Sequence, residues 1–146
     1  MGFKYDVIDA VLAAQSNTPA GTVRAVKQLQ AWVGREDWSS ILDGFARCVR
    51  ITRDQKTMFE VSEKLFVEDA EKGLYEAVTG LPSVAEGDVE SLLKNVSTLI
   101  PSITVFFDKI LVMAEDKAVK ENRLGLLQKI AGLSDGIADL SKLEGF

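Results

Sequence analysis

The chain contains no histidine. That removes the commonest general base, the usual activator of a serine or cysteine nucleophile and the commonest metal ligand. Cys48 is the single cysteine, so no disulfide can form within the chain and no cysteine-rich zinc site can be assembled. No apolar run approaches the ~18 residues of a membrane-spanning helix. Phosphate loops are missing too: "AGTVRAVK" has the spacing of neither nucleotide fingerprint, and "GLPSVAEGD" reads as a turn. The opening "MGFKYDVIDA" shows no signal-peptide pattern, and Asp6 stands where a myristoylation motif needs Ser or Thr. These absences lead us to expect a soluble protein of a reducing compartment, cytoplasmic, with no catalytic residue, no metal site and no membrane partner.

What is present fits a helical domain. The chain has 146 residues, 47% of them apolar and 27% charged, enough to bury one core without staples. Three prolines and long 3-4 apolar spacings predict an all-α bundle of six to seven helices. A first helix runs from about Tyr5 to Ala14, with Ile8, Val11 and Leu12 inward. Thr18 and Pro19 open a second, carrying Val23, Val26, Leu29 and Val33 with Trp32 beside them, and Gly34 closes it. Asp37 is placed to cap a third, whose face reads Trp38, Ile41, Leu42, Phe45, Cys48, Val49 and Thr52. Residues 54–66 read as a loop or short irregular helix that tucks Met58 into the core. Val67 to Leu81 forms another helix, and Gly87 to Ile100 has the cleanest amphipathic period, which Pro101 is expected to end. Leu126, Ile130, Leu133, Ile137 and Leu140 step 4-3-4-3, predicting one long C-terminal helix from Asp116 to Leu143. Gly125, Gly132 and Gly136 inside it suggest a close approach by another helix, or a kink. Residues 1–146 are read as a single domain. The abrupt helical start leads us to expect a piece of a longer chain.

Charge is unevenly spread. The net charge is −5, yet Ala20 to Thr57 holds seven basic and four acidic residues, +3, against −8 for the rest. Arg47, Arg50 and Arg53 follow at i,i+3 steps on one predicted helix, and Arg24 and Lys27 repeat that spacing on the preceding one. Two neighbouring antiparallel helices would present these five as one positive patch able to hold RNA phosphates, with Arg planes stacking on bases. Tyr5 and Trp38 are candidate stacking partners, Trp38 being the better core residue. The plain alternative is a set of solvated helix faces. Asp135 and Asp139 lie one turn apart without a third ligand and read as solvated. Cys48 reads as core.

The stretch "FFDKILVMAEDKAVKENRLGLLQKI", with "IADLSKL" behind it, resembles the C-terminal end of the β subunit of bacterial-type glycyl-tRNA synthetases. The opening "GFKYDVIDAVLAA" is similar to the start of that subunit's anticodon-binding region, and "LFVEDAEKGLYEAV" fits its middle. The module is known as the DALR anticodon-binding domain, an all-helical bundle shared with arginyl-tRNA synthetases. Around Asp116 this chain departs from the family pattern, reading Asp116, Ala118, Val119, Lys120 in place of the expected Leu and Arg; Lys lacks the planar fork of Arg. Arg47 matches a basic family position, whereas Arg50 stands where a smaller polar residue is expected.

The resemblance implies a glycine–tRNA ligase in which the α subunit carries aminoacylation, using ATP with magnesium, while this domain holds no cofactor. The implied partners are the anticodon arm of glycine tRNA, the remaining β-subunit domains and the α subunit, with no DNA. Tyr5, Arg24, Lys27, Arg47, Arg50 and Arg53 are the expected tRNA-binding residues. Glycine anticodons end in two cytosines, whose edges need acceptors as well as donors, so a reader of both signs of charge suits them. Glu115, Asp116, Asn122 and Arg123 are expected to form a structural joint: Asp116 or Glu115 caps the last helix, and an Asp–Arg or Glu–Arg network sets its angle to the Phe106–Ile110 segment. Two further readings stay open: a structural or interaction module with little RNA contact, and the arginyl-tRNA synthetase version of the domain.

Overall fold

The computed structural model describes residues 5–14, 19–85, 87–143 and 146. Among them it contains six α-helices and no strand: α1 (Tyr5–Ala14), α2 (Pro19–Val33), α3 (Trp38–Thr52), α4 (Asp69–Thr79), α5 (Val89–Lys109) and α6 (Lys117–Ala131). The fold is all-α. Short 3-10 turns lie at Glu63–Leu65, Gly132–Ser134 and Leu140–Lys142. No helix of the described residues is long and apolar enough to cross a membrane.

The faces read from spacing are largely the buried ones. On α3, Trp38, Ile41, Leu42, Phe45, Cys48 and Thr52 are buried, and on α5 Val89, Leu92, Leu93, Val96 and Leu99. Three residues expected in the core turn outward: Leu12 is 45% exposed, Val23 53% and Met58, in the 54–66 segment, 72%. The places of Leu12 and Val23 are taken by Val7 and Ala10 on α1 and Ala25 on α2.

α5 is the central element, touched by α2, α3 and α4, while α6 packs on α3 and α4. The α3–α5 approach is close at Gly44, where an added Cβ would stand 2.6 Å from Ile100 Cδ1. Pro101 lies inside α5 rather than ending it. It sits on the exposed side of the helix, where the carbonyl it leaves unbonded can be hydrated. Leu99, Ile103 and Phe106, on either side of it in sequence, are fully buried and hold both halves on the core.

The last helix is shorter than its spacing predicts. α6 stops at Ala131, and the chain continues through a 3-10 turn and a turn at Gly136, whose φ is +76°. Ile137, Leu140 and Leu143 are still buried, so the apolar seam is real but is delivered by turns. The tail crosses to α1, where Asp139 N–H donates to the Ala10 carbonyl at 2.8 Å. Asp37 precedes α3 without capping it; its carboxylate is taken by Arg35, with Nε and Nη2 both at 2.9 Å. Asp88 and Asp116 do cap, accepting from Ser91 N and Val119 N at 3.1 Å.

Candidate functional site

The polar stretch before and within α6 folds into a buried joint. Arg123 is 7% exposed and Glu71 on α4 is fully buried. Arg123 Nε donates to Glu71 Oε1 at 2.8 Å and its Nη1 donates to the Leu111 carbonyl at 2.6 Å. The other Glu71 oxygen accepts from the N–H groups of Val67 and Glu68, both at 2.7 Å. Burial alone would push the Glu71 carboxyl up, but the Arg123 hydrogen bond and the two backbone donors outweigh it and hold it below the usual range.

Asn122 and Gln128 act as clamps. Asn122 accepts from Ser62 N–H at 2.6 Å and donates to the Ser62 carbonyl at 3.1 Å, while Gln128 accepts from Phe59 N–H and donates to the Thr57 carbonyl, both at 2.9 Å. Between them lies Gly125, where a Cβ would stand 2.8 Å from the Phe59 carbonyl oxygen. The close approach expected at this glycine is therefore made by the irregular 57–62 segment, not by a helix. Glu115 is exposed, and the acid that meets Arg123 is Glu71 instead. Sequence reasoning missed Glu71. The available signal was an Arg inside the apolar run "NRLGLL", since a buried guanidinium must find a carboxylate.

The cationic candidates all lie at the surface. Tyr5 is 87% exposed at the start of α1. Arg24 and Lys27 are exposed on α2; Arg47 and Arg50 are exposed on α3, and Arg53 directly follows it. The expected side-by-side packing of their helices is not made: α2 and α3 each pack on α5 and share little contact with one another. Trp38 is buried and offers no stacking surface.

Arg47 has a partner to which sequence reasoning gave no role. Its guanidinium carbon lies 4.1 Å from the centroid of the Phe107 ring, within cation–π range. Adjacent residues on a helix point ~100° apart, so of "FF" at 106–107 only Phe106 is fully buried and Phe107 reaches the rim. Arg47, Arg50, Ile51 and Phe107 line an open depression of about 390 Å³. Arg50 Nε donates to the Ala46 carbonyl at 3.3 Å, and its Nη2 stands 4.0 Å from Asp43. No group of three or more cysteine or acidic side chains gathers as a metal site among the described residues.

Six helices with α5 at the centre, and an arginine-lined depression on one side, define the class as an all-α module. Residues 41–138 match the model of the DALR anticodon binding domain, and the chain belongs to that family. It is similar to proteins named glycine–tRNA ligase beta subunit: 34% identical to that of Acidobacterium capsulatum over 98% of this chain and 22% of the relative, 37% to that of Geotalea uraniireducens over 97% and 21%, and 35% to that of Moorella thermoacetica over 97% and 21%. The chain thus spans about a fifth of the length of the curated relatives it matches.

Proposed function

We infer that the chain binds the anticodon arm of glycine tRNA, as the anticodon-binding part of a glycine–tRNA ligase β subunit. In that assembly it supports aminoacylation carried out on the α subunit with ATP and magnesium, in the cytoplasm, alongside the other β-subunit domains. The observation that carries this reading is membership of the anticodon-binding family across residues 41–138. The names of the relatives favour the glycyl over the arginyl version of the module. The exposed Arg47 of α3 supports it physically, because a guanidinium outside an ion pair can meet phosphates and base faces; Arg50, beside it, is only loosely engaged by Asp43 at 4.0 Å.

The test is binding of a labelled glycine-tRNA anticodon arm at low salt. Affinity is expected to fall as salt rises, and Arg24→Ala and Arg47→Ala are each expected to weaken binding roughly five-fold, about 1 kcal/mol. Unchanged affinity in both variants would place the RNA on another face. Absence of any binding at low salt would favour the reading as an interaction module, for which Val67 and Leu111, exposed at 65% and 71% beside the Glu71–Arg123 joint, are the available surface.

A further inference from the structure

Two arginines of the described structure lie over aromatic rings, and they differ in what else they hold. Arg35 lies 4.0 Å over Trp32, but its outer edge is closed by the two hydrogen bonds to Asp37. Arg47 lies over Phe107 and has no carboxylate partner among the described residues. Its guanidinium carbon stands 4.1 Å from the ring centroid. The same side chain lines the open depression with Arg50, Ile51 and Phe107.

Phe107 is braced for this role. Its ring meets Phe106 edge-on, with centroids 5.6 Å apart and planes at 89°, and Phe106 is fully buried in the core. A plate fixed to the core thus orients a flat cation toward solvent. Preorganisation of this kind spares the side-chain ordering that a free surface arginine would incur on binding. Ile51 adds an apolar wall, and Arg50, one turn after Arg47, adds a second positive charge at the rim.

We propose that this depression is a one-nucleotide stacking site: a single unstacked base of an RNA strand lies on the outer face of Arg47, making a three-layer stack over Phe107, while Arg50 holds a neighbouring phosphate. The proposal rests on the reading of the chain as a tRNA-binding module and adds to it a mode of contact and a positioning residue, Phe107. A free phosphate would use only the two charges and leave the ring without a role. A base uses the planar guanidinium as well, and removing such a stacking partner lowers affinity roughly five-fold or more.

The experiment uses the full chain and an anticodon-arm hairpin carrying 2-aminopurine at each loop position in turn. Binding is expected to change the fluorescence most at one position. Phe107→Leu is expected to lower affinity roughly five- to ten-fold and abolish that change, leaving the salt dependence of binding as it was, since no phosphate contact is lost. Arg47→Lys keeps the charge and is expected to lose the signal equally, whereas Phe107→Tyr keeps the plate and should retain it. If the hairpin binds with normal salt dependence but Phe107→Leu and Arg47→Lys leave affinity and fluorescence unchanged, the stacking site is wrong and the RNA-binding reading stands. If no hairpin binds at any salt, that reading falls and the site with it.

Discussion

A guanidinium taken out of water needs a counter-charge, and Arg123 finds one 52 residues away in Glu71. With both groups buried, removing one strands the other. Arg123→Met is expected to cost about 3–5 kcal/mol in denaturant unfolding, and the Glu71→Gln/Arg123→Met double variant less than the Arg123 change alone. Because the folded Glu71 carboxyl lies below its ordinary 4.5, its contribution is fully present above that value and is lost as the pH falls through the lower folded value. Stability measured from pH 7 down to pH 3 should therefore drop less steeply in Glu71→Gln than in the native chain. Cys48 has no exposure and its thiol is pushed up to about 12 by burial. A maleimide is expected to label it only when denaturant opens the core; labelling of the native chain at the same rate would contradict that environment. The basic candidates were legible because charge and helical spacing are both visible in a sequence. Glu71 and Phe107 were not, because each acquires its role from a partner on another helix.

At the scale of elements, α6 is held by what crosses it. Asn122 and Gln128, six residues apart, clamp the 57–62 segment onto one helical face, and Gly125 between them leaves no room for a methyl group. Gly125→Ala would improve helix propensity by ~1 kcal/mol but would push against the Phe59 backbone, which cannot rotate away as a side chain end can. We expect a net loss of about 1–3 kcal/mol, with faster amide exchange at Phe59 and Ser62; a stabilised protein would show that the segment is free to shift. The boundaries of α1 and the buried face of α3 could be read from periodicity, since a local amphipathic pattern needs no knowledge of neighbours. Two boundaries could not. Pro101 reads as a stop because the sequence does not reveal that it falls on the exposed side of a helix held on both sides of it by the core, and the 4-3-4-3 seam after Ile130 reads as helix because a chain of turns can deliver the same residues to the core.

At the scale of the whole molecule, a net charge of −5 coexists with a basic stretch drawn largely from α2 and α3. Acidic proteins are repelled by RNA at long range, so binding that depends on these two helices should be strongly salt-sensitive yet weak for the isolated chain, with other contacts in a larger assembly raising it by effective concentration. The fold class was accessible because all-helical patterning is repeated along the chain. The helix pairing was not, because α2 and α3 share α5 rather than packing on each other. The bond from Asp139 to Ala10 carries a different consequence. It holds the tail, with the buried Leu140, against the first helix. A chain cut after Ser134 is expected to exchange the amides of α1 faster than the parent and to unfold at a lower temperature, because the tail is a latch on the first helix; unchanged exchange in α1 would show the latch to be idle.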